Sequence, residues 1–242
     1  MAALYAPYLI IHSAICILQN LIFNNREYDS RMIVSWAAIS CWMFGVKVKV
    51  IGSENLPKRG CIFLFTHTSF FDIFAIHWKI RGVRFGAKIE LFDFPMFGRA
   101  MRRVGVLPIA RNRRDEVLAI YRQTEKKIRA GEQFCLAPEG TRQDIEALGP
   151  LKAGPFILAI NAHAPIVPLV IKGGTRILGK NSWFPNAKHF RAVLELHILP
   201  PISTEGFTVN RREELQEIFR EEVSRVYPIQ GEQVDTPSSQ GH

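Results

Sequence analysis

The alternation of apolar and polar positions divides the chain into three parts. Two uncharged apolar runs, residues 3–23 and Met32–Val46, are joined by the polar stretch NNREYDSR. After them, short runs such as VKVKVIG and CIFLFT alternate with segments of helical period. The final GEQVDTPSSQGH has no apolar period. We therefore expect an N-terminal apolar helical hairpin (1–46), an α/β domain (47–230) and a flexible tail (231–242).

The middle part predicts a mixed sheet flanked by helices, because strand and helix patterns alternate along it. The predicted strands are VKVKVIG, CIFLFT, VRFGA, QFCLA, IVPLVIK and AVLELHIL. The predicted helices are FFDIFAIHWKI, residues 113–130, LKAGPFILAIN and RREELQEIFREEVSRVY.

The N-terminal runs have the composition of membrane-associated helices. Residues 3–23 are long enough, as a helix, for the ~30 Å hydrocarbon core of a bilayer. The second run is too short for an independent span, and Trp36 and Trp42 suit a membrane interface. No basic region or small-residue cleavage site marks a secretory signal. We expect a two-helix motif dipping into or lying on one leaflet; two core helices, or a single span, are the alternatives.

Charge points to an anionic partner. The formal net charge is +9, and residues 79–129 hold fourteen Lys or Arg against five Asp or Glu. Such a stretch suits phospholipid headgroups, a phosphorylated substrate or an acidic carrier protein. A nucleic acid is a poorer fit, because no recognisable binding motif accompanies the basic residues. A solvated helix face is the alternative for residues 111–130.

The stretch FTHTSFFDIF places two ionisable residues, His67 and Asp72, in an aromatic run. His67 follows a predicted strand, where open α/β sheets bind ligands. Asp72 could accept a hydrogen bond from one ring nitrogen while the other removes a proton from an alcohol. Each residue also has a structural interpretation. Ser69 and Asp72 form an S-x-x-D capping box, and a lone histidine in an apolar run is usually a core residue.

A second polar motif follows the predicted strand QFCLA. The segment GEQFCLAPEGTRQ ends in a loop in which Gly140 lets the backbone come close to a ligand. Arg142 adds a planar set of hydrogen-bond donors. The loop is therefore suited to a phosphate.

The two motifs together resemble a known family. H-x-x-x-x-D is formed by His67 and Asp72, and P-E-G-T-R by residues 138–142. In this combination the chain resembles the glycerolipid acyltransferase superfamily, whose typical members are the 1-acylglycerol-3-phosphate (lysophosphatidic acid) acyltransferases. The resemblance covers residues 47–200. It is specific because two complete motifs coincide.

Three further segments resemble family motifs less completely. AKIELFDFPMFG is similar to an A-K-x-E-L stretch followed by Pro and Gly, which places Lys88 near the phosphate. GVLPIAR keeps Gly105 and Arg111 of a G-x-x-F-[IV]-D-R motif but has Pro108 and Ala110 where Phe and Asp are usual. IVPLVIKGG is similar to an apolar pocket-forming motif.

The resemblance implies specific site residues. His67 and Asp72 are implied to be catalytic. The implied substrate-binding residues are Lys88, Arg111, Glu139, Gly140, Thr141 and Arg142. No metal site is expected, because His67, His77 and Asp72 lack a full set of further ligands in the local sequence.

The implied activity is acyl transfer from a thioester to the free hydroxyl of lysophosphatidic acid, giving phosphatidic acid. The donor would be acyl-coenzyme A or acyl-acyl carrier protein, with no other cofactor. Alternative acceptors are glycerol 3-phosphate or another lysolipid. A different class of function, a non-enzymatic peripheral protein that binds anionic lipid, also fits the basic stretch. We expect membrane association, with the catalytic domain on the cytoplasmic side and phospholipid and lysophospholipid as partners.

Overall fold

The computed structural model describes residues 25–109, 114–180, 182 and 191–230, with the pairs 7–8, 11–12, 14–15 and 18–19. Within these residues, seven strands form one sheet in the order β1-β7-β6-β2-β5-β3-β4. Their bounds are β1 (Lys47–Ile51), β2 (Ile62–Phe65), β3 (Arg84–Lys88), β4 (Leu107–Ile109), β5 (Phe134–Leu136), β6 (Ile166–Lys172) and β7 (Val193–Ile198).

Helices alternate with these strands. The α-helices of the described part of the chain are α1 (Arg26–Met43), α2 (Phe70–Lys79), α3 (Pro95–Arg103), α4 (Arg114–Arg129), α5 (Ala153–Ala162), α6 (Gly174–Ile177) and α7 (Arg212–Ser224). Short 3-10 helices cover Ser53–Asn55, Ile89–Asp93 and Val209–Arg211.

The sheet is mixed, which confirms the predicted class. β6, β2, β5, β3 and β4 are parallel neighbours. β7 runs antiparallel to β6, and β1 pairs in parallel with β7. The carboxyl ends of β2, β5 and β3 therefore lie at one edge of the sheet, which we call the carboxyl edge.

The core has two layers, one on each face of the sheet. In β2, Ile62 and Leu64 point into a cluster with α4, α5 and α7, whereas Phe63 and Phe65 point into a cluster with α1 and α2. All four are buried. Burying each such side chain contributes about 1.5–3 kcal/mol to folding. β2 is therefore held firmly in the core, and it positions the residues that follow it.

α1 begins inside the polar stretch NNREYDSR, before the second apolar run. Its first residue is Arg26, and the Asn25 side chain caps it by accepting from the Glu27 N–H at 2.9 Å. Ala37 and Cys41 are fully buried, and Phe44 packs on Phe71. One face of α1 is thus part of the core.

Residues 3–23 lie largely outside the described residues, so the hairpin and its membrane association stay predictions. In the part of the chain that the structure describes, no helix is both long and apolar enough for a membrane span. The predicted tail, 231–242, also lies outside the described residues.

Three elements were not predicted: β4, α3 and the four-residue α6. β4 has three residues and contains Pro108, which a short edge strand tolerates. α3 begins with Pro95 at its first position. Gly98 lies against the Phe92 carbonyl, because a Cβ there would be 2.0 Å from that oxygen. This contact explains the glycine, and the helix start explains the proline, that follow the lysine-containing stretch.

Candidate active site

Three sequence motifs meet at the carboxyl edge. His67 follows β2, residues 138–142 follow β5, and Lys88 is the last residue of β3. β5 lies between β2 and β3, and neighbouring strands are spaced by about 4.8 Å. The loop that carries Arg142 is therefore placed between His67 and Lys88.

His67 and Asp72 are in direct contact. The His67 Nδ1 atom lies 3.1 Å from Asp72 Oδ2. The Asp72 side chain is fully buried, whereas that of His67 is 15% exposed. Among the described residues, none hydrogen-bonds to Nε2. The contact favours the tautomer with the proton on Nδ1.

Asp72 caps α2 with the same oxygen that contacts His67. Oδ2 also accepts from the N–H groups of Thr68 at 2.8 Å and Ser69 at 2.7 Å. The Ser69 hydroxyl oxygen in turn accepts from Phe71 N–H at 3.3 Å. The capping and functional interpretations of Asp72 therefore hold together, because the cap fixes the carboxylate that orients the imidazole.

The other side of Asp72 faces α6. Asp72 Oδ1 and the Thr68 hydroxyl are buried and have no hydrogen-bond partner among the described residues. A Cβ on Gly174 would lie 2.8 Å from Oδ1 and 2.7 Å from the hydroxyl oxygen. Glycine is therefore needed here for close packing of α6 on the capped turn.

Glu139 connects the two motifs from inside the protein. Its Oε2 accepts from His67 N–H at 3.2 Å, and its Oε1 accepts from Gly149 N–H at 3.0 Å. The Gln143 N–H also donates to the His67 carbonyl at 2.7 Å. The loop after β5 is thus fixed directly to the backbone of His67.

The environment of Glu139 bears on its predicted role. It is 3% exposed, and burial raises its pKa to about 7, although the N–H donors of Gly149 and His67 oppose the shift and Asp72 adds to it. Both carboxylate oxygens are used within the protein. The substrate-binding role of Glu139 stays a prediction, and the contacts shown here are those of a residue that positions the loop.

The remaining predicted residues are placed as follows. Gly140 has φ +74°, a left-handed conformation that favours glycine, and Thr141 is exposed. The Arg142 guanidinium lies 5.5 Å from the Phe70 ring centroid. Lys88 pairs with Glu90 at 3.3 Å, with both side chains half-exposed. Arg111 lies outside the described residues.

One cation beside the loop was missed from the sequence. Lys152 precedes α5, and its N–H donates to the Pro138 carbonyl at 2.8 Å. Its side chain runs past Gly140, 3.4 Å from where a Cβ would be. The sequence shows only a lysine at the start of a predicted helix. The contact of this lysine with Gly140 depends on tertiary structure.

The arrangement matches a known protein family. The family model described as Acyltransferase matches residues 47–172, more than half of the chain. The chain belongs to this acyltransferase family. All predicted site residues lie within the matched region.

Two relatives of this chain are named for the same activity. A chloroplastic 1-acyl-sn-glycerol-3-phosphate acyltransferase of Brassica napus is 34% identical over 160 residues, which cover 65% of this chain and 46% of that protein. The human 1-acyl-sn-glycerol-3-phosphate acyltransferase beta is 28% identical over 205 residues, covering 82% and 70%. The chain spans about half the length of the first curated relatives that it matches.

The fold is also found in a solved structure. The 1-acyl-sn-glycerophosphate (LPA) acyltransferase PlsC of Thermotoga maritima superposes with a TM-score of 0.74, covering 93% of each chain. At 22% sequence identity, this likeness shows that the fold is shared.

Proposed function

We propose that this protein is a lysophosphatidic acid acyltransferase, which moves a fatty acyl group from a thioester to the free hydroxyl of its acceptor. One observation carries the proposal: the His67–Asp72 pair is joined, through Glu139 and Gln143, to the loop that presents Arg142. A base and an anion-binding cation thus belong to one rigid unit. The names of the relatives support the same substrate.

His67 acts as the general base. Asp72 holds Nδ1–H, so Nε2 accepts the hydroxyl proton as the lipid oxygen attacks the thioester carbonyl. The new C–O bond forms a tetrahedral intermediate, whose collapse breaks the C–S bond. The departing thiolate takes the proton from the imidazolium. General-base catalysis of this kind is worth about 10² to 10⁴ in rate, and positioning supplies much of the rest.

The phosphate of the acceptor lies at the carboxyl edge. Arg142 supplies a planar donor set on the loop after β5, and Lys88 supplies a point charge at the end of β3. We assign Arg111 to the same phosphate. Glycerol 3-phosphate or another lysolipid remains an alternative acceptor, because these residues recognise a phosphate rather than the whole headgroup. The donor is acyl-coenzyme A or acyl-acyl carrier protein, and no metal or other cofactor enters the steps.

The carboxyl edge is bordered by exposed apolar side chains, as a membrane-facing surface would be. We call this set the apolar rim: Trp42, Phe70, Phe94, Phe97 and Ile145, each between 41% and 75% exposed. Trp42 reaches this edge because α1 ends where Phe44 packs on Phe71. We propose that the rim faces an anionic bilayer, that the N-terminal hairpin holds the domain there, and that the catalytic domain is on the cytoplasmic side.

The direct test of substrate is phosphatidic acid formation from lysophosphatidic acid, with each thioester donor in turn. We expect activity with at least one donor. In Arg142→Ala, KM for the lysolipid should rise about tenfold or more, because a charge-assisted phosphate contact is lost. Arg211→Ala, which removes an arginine from the far side of the domain, is the control. Binding of anionic vesicles without acyl transfer would favour the non-enzymatic alternative instead.

A further inference from the structure

The segment Tyr227–Gln230 follows α7 and lies outside the region that the family model matches. It nevertheless pairs with Leu148, which follows residues 138–142, the proposed anion-binding loop. Leu148 N–H donates to the Pro228 carbonyl at 2.8 Å, and Gln230 N–H donates to the Leu148 carbonyl at 2.9 Å. Leu148 and Ile229 form an isolated parallel bridge, and both are buried. We call these four residues the C-terminal clamp.

The clamp is connected to His67 through few intermediates. Leu148 is followed by Gly149, whose N–H donates to Glu139 Oε1. The other oxygen of Glu139 accepts from His67 N–H. A shift of Leu148 would therefore move Gly149 and loosen the contact that joins the anion-binding loop to the base.

The side chain of Tyr227, the first residue of the clamp, is buried. It is 2% exposed, and its hydroxyl makes no well-formed hydrogen bond to a described residue, although Thr66 lies close enough to affect it. Burial raises its pKa, and the carboxylates of Glu146, Asp72 and Glu139 raise it further. The phenol therefore stays protonated.

Glu146, one of these carboxylates, contacts the start of α6. Glu146 Oε1 accepts from Gly173 N–H and from the Thr175 hydroxyl, both at 2.8 Å. These residues flank Gly174, which packs on Asp72. Glu146 thus joins the loop after β5 to the residues around Gly174 that pack on Asp72.

We propose that the C-terminal clamp is a positioning element of the active site. Its backbone fixes the loop that carries Glu139 and Arg142. The inference rests on the proposed function for its kinetic consequences. Its structural consequences can be measured without any activity.

Two truncations isolate the backbone part. A chain ending at Gln230 keeps the clamp, and a chain ending at Tyr227 loses both hydrogen bonds to Leu148. The first should match the full chain in acyl transfer. The second should show a rise in KM for lysophosphatidic acid and a fall in kcat, each about tenfold. Equal kinetics in the two truncations would overturn the proposal.

Hydrogen exchange separates this inference from the proposed function. The amides of Gln143 and Gly149 should exchange faster in the chain ending at Tyr227 than in the chain ending at Gln230, by about tenfold or more. If both truncations protect these amides equally, the clamp has no positioning role, even if the enzyme is active. If the amides lose protection as expected but no acyl transfer occurs in the full chain, only the proposed function fails.

Discussion

At the scale of single residues, one carboxylate oxygen organises the base. Asp72 Oδ2 receives three hydrogen bonds, from His67, Thr68 and Ser69. Two of the donors are backbone N–H groups, so the carboxylate cannot rotate away without uncapping α2. The sequence presented capping and catalysis as competing interpretations. The structure shows that the cap provides the rigidity that the proposed catalytic role requires.

Glu139 should change how the free energy of unfolding depends on pH. Its pKa is raised from 4.5 to about 7, so the folded state binds more protons than the unfolded state between these values. Stability from this group therefore falls as pH rises from about 4.5 to about 7, by a total of about 3 kcal/mol. Glu139→Gln should flatten this slope, as measured by urea unfolding at several pH values. An unchanged slope in the variant would contradict the assignment.

At the scale of elements, the sequence predicted those whose apolar pattern is long and regular. IVPLVIK coincides with β6, and the helix predicted over residues 113–130 is α4 within one residue at each end. β4 and α6 have only three and four residues, too few to show a period. α1 begins inside the polar stretch NNREYDSR, because a side-chain cap and tertiary packing outweigh local polarity.

The candidate site was predictable to the extent that it is local. The spacing of His67 and Asp72 and the P-E-G-T-R loop could be read from short segments. The burial of Glu139 and the approach of Lys152 to Gly140 could not, because both depend on elements far apart in the chain. The position of Tyr227 could not be predicted either, because in the sequence it looks like the end of an ordinary amphipathic helix.

The packing of α6 on the start of α2 can be tested with one methyl group. In Gly174→Ala, the new Cβ would meet Thr68 and Asp72 below 3.0 Å, so Asp72 must shift relative to His67. We expect a loss of about 1–3 kcal/mol in stability and a fall in kcat of about tenfold or more. Gly179→Ala is the control, because its Cβ would meet atoms no closer than 3.7 Å. Similar kinetics in the two variants would show that this packing is unimportant.

At the scale of the whole molecule, the proposed catalytic pair, the cations and the apolar rim share one edge of the sheet. This arrangement would let a lysolipid present its phosphate and hydroxyl to the protein while its acyl chain stays in the bilayer. The basic residues between Lys79 and Arg129 are consistent with an anionic surface. The membrane is thus expected to contact the domain as well as the N-terminal hairpin.

Vesicle binding can test this orientation. Phe94→Ser and Arg99→Gln alter exposed residues at α3, and each should weaken binding to vesicles containing phosphatidic acid by about fivefold. Arg59→Gln removes an exposed arginine before β2, at the opposite edge, and should have little effect. Sedimentation with the vesicles measures all three. If Arg59→Gln weakens binding as much as Arg99→Gln, the domain is not oriented in this way.

The most direct measurement is the single-turnover rate of acyl transfer to lysophosphatidic acid by His67→Ala, compared with wild type at saturating substrates. Loss of the general base should lower this rate by about 10²-fold or more while lysolipid affinity and thermal stability stay near wild type. A variant that transfers the acyl group at close to the wild-type rate would contradict the role assigned to His67.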